Sequence, residues 1–96
     1  MAVHLWAGLT SAHIQALKEA EPLVLVAMGS LEQHGSHLPM DTDSTLVERV
    51  TLAAAEVAGI PEILYLRPFA VGFSPHHMQR PGSITLRLDT FLAAVK

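Results

Sequence analysis

The chain has 96 residues, of which half are hydrophobic and 16% are charged, and its formal net charge is −3. This size suits one small domain with a modest core, and the interspersed charges exclude a basic nucleic-acid surface or a polybasic membrane anchor. Because the chain has no cysteine, it can form neither a disulfide framework nor a thiolate zinc site, and any metal must be held by nitrogen and oxygen.

The first two predicted elements are a helix and a strand. Residues 10–21 have an apolar stripe of helical spacing, with Thr10 or Ser11 as the N-cap and Pro22 after the end. The continuous apolar run LVLVAM follows at residues 23–28. A run this short between a proline and a glycine is typical of a strand that is buried on both faces of a parallel sheet.

A polar loop separates this strand from the most regular helical pattern in the chain. Apolar residues recur at helical spacing through residues 44–59. Thr45 and Glu48 have the spacing of a capping box, and Gly59 is the expected C-terminal cap. The sequence therefore predicts a helix that begins close behind the polar loop.

The second half predicts two more strands and a short terminal helix. Residues 62–72 and 83–88 have strand-like composition, and residues 89–96 begin a helix with Asp89 as its N-cap. That helix stops after about two turns, which is short for an independent helix. We interpret residues 1–96 as the N-terminal part of a single α/β domain, with three α/β/α layers and a mostly parallel sheet, truncated after the first strands.

The polar loop GSLEQHGSHLPMDTDS combines acids and imidazoles at a position where open α/β sheets bind ligands. If the loop continues extended, alternation sends Glu32 and His34 to the same side. Asp41 and Asp43 come just before the helix, where either could be a cap or a metal ligand. Nitrogen and oxygen donors of this kind suit Zn²⁺, Mn²⁺ or Fe²⁺ in a hydrolytic site. The alternative is a capped loop with solvent-facing histidines.

The string GSLEQHGSHLPMDTD, residues 29–43, resembles the signature of the creatininase (creatinine amidohydrolase) family, which has the pattern G-S-x-E-Q-H-G-x-H-L-P-x-x-T-D after a buried strand. Every fixed position of that pattern is filled. A second segment, GFSPHHMQRPGSITL, is similar to the histidine-containing loop and F-P-G-T turn of the family. In that segment Arg80 stands where an aromatic residue is usual, and Ser83 replaces the threonine.

The resemblance implies a metal-dependent hydrolase that cleaves a non-peptide or cyclic amide C–N bond in a small molecule, by attack of a metal-bound hydroxide on a polarised carbonyl. It implies two divalent ions, Zn²⁺ first and Mn²⁺ or Fe²⁺ as alternatives. Their ligands here are Glu32, His34 and Asp43, with Asp43 bridging the ions. The family also implies a homo-oligomer, often a hexamer.

Two further histidines are candidates for catalytic roles by the same resemblance. His37 matches the family pattern without being a ligand, which suggests a role beside the ligands or the substrate, or a structural hydrogen bond. His77 is expected near the substrate entrance. Because adjacent residues of an extended chain face opposite ways, at most one of His76 and His77 is expected to approach the metals.

The resemblance covers about the first two-fifths of a family member, and the second ligand cluster of the family lies in the remainder. We therefore expect catalysis in a longer protein and little activity from this chain alone. A different reading is a non-catalytic remnant that retains part of the metal site. We expect a cytoplasmic location, since the N-terminal sequence lacks a secretory signal and no run reaches the roughly 18 apolar residues of a membrane span.

Overall fold

The structure, a computed structural model, describes residues 2–96. Strands and helices alternate along most of the chain, which confirms the predicted α/β class. In chain order the elements are β1 (Ala2–Leu5), a 3-10 turn (Trp6–Gly8), α1 (Ser11–Lys18), β2 (Leu23–Met28), α2 (Thr42–Val57), β3 (Glu62–Phe69), a second 3-10 turn (Pro75–His77) and α3 (Leu88–Val95).

The three strands form one sheet in the order β1-β3-β2. β1 pairs with β3 in parallel, with Val3 opposite Ile63. β1 was not predicted, because a four-residue strand with one histidine is too short to show a clear alternation. Within the described residues, no helix combines the length and apolarity needed to cross a membrane.

The chain forms two compact units. The sheet unit is the chain up to Ala27 together with Glu48–Arg67, and the loop unit is Met28–Val47 together with Pro68–Lys96. The expectation of one domain over residues 1–96 stays a prediction. Among residues 2–96, the buried hydrophobic side chains all lie in the sheet unit and the buried polar side chains all lie in the loop unit. They are Ala27, Ala55, Ile63, Leu64 and Tyr65 in the first, and Ser30, Ser74 and Ser83 in the second.

The central strand β3 supplies most of the core of the sheet unit. Ile63 is fully buried and Tyr65 is 3% exposed. The Tyr65 hydroxyl is buried without a hydrogen-bond partner among the described residues. Burial raises the pKa of Tyr65 above its ordinary value, and the negative charge of Glu48 raises this pKa further.

The predicted burial of β2 on both faces is wrong for this structure. Val24 is 42% exposed and Val26 is 51% exposed, whereas Ala27 is the buried residue of the strand. β2 lies at the edge of the three-stranded sheet, so fewer neighbours cover its side chains. The apolar run therefore predicted the position of the strand correctly, but the burial it predicted for the side chains was wrong.

The helix ends agree with the sequence in part. Thr10 caps α1, and its side chain accepts a hydrogen bond from the backbone N–H of His13. α2 begins at Thr42, three residues before the predicted capping box, and the N–H of Thr45 donates to the carbonyl of Asp41. Thr45 is therefore already inside the helix and does not cap it.

Two predictions for the C-terminal third are also corrected. Residues 83–88 do not form a strand, because Ile84 makes only an isolated antiparallel bridge with Leu31. α3 begins at Leu88 with Arg87 at the N-cap, so Asp89 lies in the first turn. The Asp89 carboxylate there accepts a hydrogen bond from the Arg87 side chain.

Candidate metal centre

The structure brings together the three residues that the sequence predicted as metal ligands. Glu32 and His34 lie in the loop that follows β2, and Asp43 lies in the first turn of α2. One donor atom from each residue lies within 4.8 Å of the others. All three side chains are half-buried in the loop unit, so an ion could reach them from solvent. Their roles as ligands stay predictions.

A backbone hydrogen bond determines which ring nitrogen of His34 carries the proton. Nδ1 lies 2.9 Å from the carbonyl oxygen of Glu32. Since a carbonyl only accepts, the neutral ring must carry its hydrogen on Nδ1, and Nε2 has a lone pair. This is the usual arrangement of a metal-bound histidine, whose other nitrogen donates to a carbonyl or carboxylate.

The lone pair of His34 faces a carboxylate. Nε2 lies 3.4 Å from Oδ2 of Asp43, so two acceptors point at each other when the ring is neutral. A proton or a metal ion would relieve this repulsion. The hydrogen bond to the Glu32 carbonyl is the main cause that raises the pKa of His34, burial opposes it, and the Asp43 carboxylate adds to the increase. The donor set therefore fits a divalent cation.

Asp43 is oriented by a buried serine. The hydroxyl of Ser30 donates to Oδ2 of Asp43 at 2.7 Å, and Ser30 is 9% exposed. In the described part of the chain, the Asp43 carboxylate accepts no backbone N–H of α2. Asp43 was predicted either to cap the helix or to bind a metal ion. Its side chain does not cap the helix and is turned towards Ser30 and His34.

Glu32 is held at both of its carboxylate oxygens. The hydroxyl of Ser74 donates to Oε1 at 2.7 Å, and Nε2 of His77 lies 3.0 Å from Oε2. Ser74 is fully buried. Sequence reasoning missed Ser30 and Ser74, because a serine within a motif gives no sign that its hydroxyl will be buried against an acid.

The expectation that at most one of His76 and His77 approaches the metals stays a prediction, but its premise of an extended segment is wrong. Pro75–His77 form a 3-10 turn and not an extended segment, so the two rings do not point in opposite directions. Their ring centroids are 4.3 Å apart. Glu32, His76 and His77 form a second group whose donor atoms lie within 4.8 Å of one another.

The other candidates of the sequence analysis lie at the surface. His37 is exposed, belongs to neither donor group, and makes no hydrogen bond within residues 2–96. Its catalytic role stays a prediction. Asp41 is exposed at the start of α2, as expected for a loop or capping residue, and Arg80 is exposed as well.

Ser74→Ala is expected to weaken Zn²⁺ binding by about 10–100-fold, the usual effect of removing a hydrogen bond that orients a ligand. The substitution removes the donor to Oε1 of Glu32, so the carboxylate gains rotational freedom. Isothermal titration calorimetry with Zn²⁺ measures the effect, and Ser36→Ala, at an exposed position of the same loop, is the matched control. Equal Zn²⁺ affinity in the two variants would rule out an orienting role for Ser74.

The chain is similar to known proteins over most of its length. The creatininase family, described as creatinine amidohydrolase, matches residues 7–96. Two relatives are a mycofactocin precursor peptide peptidase of Mycolicibacterium smegmatis, 37% identical over 82 residues, and a 3-dehydro-scyllo-inosose hydrolase of Thermotoga maritima, 30% identical over 79 residues. The first is named as a peptidase and the second as a hydrolase.

A solved structure of a mutant creatininase has a similar fold, with a TM-score of 0.82 and 24% identity over 98% of this chain. The chain spans only part of these proteins: 33% of the M. smegmatis peptidase, 24% of the T. maritima hydrolase and 38% of the creatininase structure. The matches cover 82%, 81% and 98% of the chain itself. With a family match over residues 7–96, the chain belongs to the creatininase family.

Proposed function

We propose that this chain carries the first ligand set of a metal-dependent amidohydrolase that cleaves an amide-type C–N bond. The observation that carries the proposal is the convergence of Glu32, His34 and Asp43, with the unprotonated Nε2 of His34 facing a carboxylate. A capped loop with solvent-facing histidines offers no reason for this tautomer or for the two buried serines against the acids.

Glu32, His34 and Asp43 would hold the divalent ions, with Zn²⁺ as the first choice and Mn²⁺ or Fe²⁺ as alternatives. When bound, such ions polarise a substrate carbonyl and lower the pKa of a water molecule. Oδ2 of Asp43 accepts a hydrogen bond from Ser30 and lies 3.4 Å from Nε2 of His34, whereas Oδ1 accepts no hydrogen bond within residues 2–96. This free oxygen supports the proposal that Asp43 bridges two ions.

The remaining residues of the site orient the acids and face the substrate. Ser30 and Ser74 fix the rotation of the two carboxylates, so that little reorganisation is needed when a ligand binds. Nε2 of His77 lies 3.0 Å from Oε2 of Glu32, which supports a position close to the metal ligands and the substrate. His37 is exposed in the loop that follows β2, where a substrate or further polypeptide could contact it.

Two amide classes deserve testing. Resemblance to the family favours a small cyclic amide such as creatinine. The relatives named as mycofactocin precursor peptide peptidases, at 35–37% identity, support a peptide bond as the alternative. The proposal also includes a homo-oligomer. Its ligand is a small-molecule amide, and neither nucleic acid nor a membrane is proposed as a partner.

The test compares this chain with the longest polypeptide that its gene encodes, each assayed with creatinine and with a short peptide after loading with Zn²⁺ or Mn²⁺. We expect hydrolysis of one amide class by the longer polypeptide. A chelator should abolish it, and Asp43→Asn should reduce the rate by about 100-fold or more, as loss of a central electrostatic group does in other enzymes. The exposed substitution Asp89→Asn is the control.

Full activity of Asp43→Asn would contradict the bridging assignment, and hydrolysis that persists without metal would contradict the metal-dependent mechanism. The non-catalytic remnant predicts a different pattern. In that case neither polypeptide hydrolyses an amide, and Zn²⁺ binding is weak and insensitive to Asp43→Asn.

A further inference from the structure

Gln33 connects the loop after β2 to the histidine turn. Its Oε1 accepts a hydrogen bond from the backbone N–H of Gly35 at 3.0 Å, and its Nε2 lies 3.3 Å from Nδ1 of His77. Gly35 has a φ of +75°, a left-handed conformation that glycine adopts without strain. The backbone N–H of Gln33 donates to the buried hydroxyl of Ser83 at 2.8 Å.

This geometry determines the tautomer of His77. The Gly35 N–H can only donate, so the carboxamide oxygen of Gln33 must face it and the NH₂ group must face His77. Nδ1 of His77 then accepts a hydrogen bond and carries no hydrogen. The single hydrogen of a neutral ring lies on Nε2, where it can donate to Oε2 of Glu32 at 3.0 Å.

The two histidines beside Glu32 therefore hold opposite tautomers. His34 carries its hydrogen on Nδ1 because the Glu32 carbonyl accepts it, whereas His77 carries its hydrogen on Nε2. The two rings are nearly parallel, at 11°, with centroids 6.4 Å apart. One ring thus presents a lone pair to the acids and the other presents a hydrogen.

We propose that Gln33 is a positioning residue that keeps Nδ1 of His77 unprotonated. His77 then donates a hydrogen bond from Nε2 to Glu32, which orients the carboxylate, and does not bind a metal ion through that nitrogen. Glu32, His76 and His77 converge, but this tautomer occupies the nitrogen that faces the acid. Of His34 and His77, only His34 then supplies an imidazole to the cation. The catalytic importance of this division rests on the proposed function, whereas the tautomers follow from the hydrogen bonds alone.

The experiment is nitrogen-15 NMR of the imidazoles in the metal-free chain, at a pH where all rings are neutral, with each of the six histidines assigned by a His→Gln variant. We expect hydrogen on Nε2 of His77 and on Nδ1 of His34. Gln33→Glu replaces the NH₂ donor by a carboxylate acceptor, so Nδ1 of His77 should gain a hydrogen while His34 is unchanged. Gln15→Glu, the same change at an exposed position of α1, should alter neither ring.

An Nδ1 hydrogen on His77 in the unmodified chain would overturn the proposal, and so would an Nδ1 of His77 that stays bare in Gln33→Glu. The unmodified chain needs no substitution to give the first result, so the test does not depend on the folding of a variant. Because the measurement uses neither metal nor substrate, absence of amide hydrolysis would count against the proposed function only.

Discussion

Glu32→Gln is expected to weaken Zn²⁺ binding by more than about 100-fold, beyond the usual effect of losing an orienting partner. Glu32 is the residue common to both donor groups, so its loss affects every candidate ion position that the described residues offer. The amide also conflicts with its neighbours. Ser74 and His77 both donate to the carboxylate, and the NH₂ group of a glutamine must face one of these donors.

Zn²⁺ titration by calorimetry, with circular dichroism to verify the fold, measures this effect. Glu56→Gln is the matched control, because it makes the same chemical change at an exposed position of α2. The control should bind Zn²⁺ like the unmodified chain. Zn²⁺ affinity within about threefold of the control, a factor below that of even an orienting hydrogen bond, would show that Glu32 is not a ligand.

The parts of the site that depend on local sequence could be predicted. Glu32 and His34 are two residues apart, so strand-like alternation predicted that they share a side, and the predicted helix placed Asp41 and Asp43 close behind them. The resemblance to the creatininase family added the prediction that Glu32, His34 and Asp43 are metal ligands. These inferences needed no knowledge of distant contacts.

Most contacts of the supporting residues could not be predicted, because the partners lie far apart along the chain. Ser74 is 42 residues from Glu32, His77 is 44 from Gln33, and Ser83 is 50 from Gln33. A single sequence does not specify such pairings. The same reason explains the error at His76 and His77, where a turn closed by the Ser74 carbonyl replaced the expected extended chain.

In the fold as well, features set by a segment's own sequence could be predicted, whereas features set by neighbouring segments could not. The helical period predicted α1 and α2, and the apolar runs predicted β2 and β3, because these signals are contained within each segment. The exposure of Val24 and Val26 depends on which strands lie beside β2. Likewise, residues 83–88 have strand-like composition but form only an isolated bridge, between Leu31 and Ile84. Whether they pair further depends on the path of the loop, and the composition of the segment does not reveal that path.

The glycine that begins the signature segment has a steric role. Gly29 donates its N–H to the carbonyl of Phe69 at 2.9 Å. A Cβ atom at Gly29 would lie 2.9 Å from that same backbone oxygen and would collide with Oγ of Ser44. Ser44 could rotate away only by giving up its hydrogen bond to the Ser30 carbonyl. The atom of Phe69 that would be contacted is its backbone oxygen, which a change of side-chain rotamer cannot move away.

Gly29→Ala is therefore expected to lower the free energy of unfolding by about 1–3 kcal/mol, as overpacking does, and to weaken Zn²⁺ binding, because the shift passes through Ser30 to Asp43. Urea denaturation followed by circular dichroism measures the first effect, and calorimetry measures the second. Gly8→Ala is the matched control: its Cβ would meet no atom within 4 Å, and such a change is neutral or slightly stabilising. If both variants unfolded at the same urea concentration, the close approach of Gly29 to Phe69 would not constrain the site.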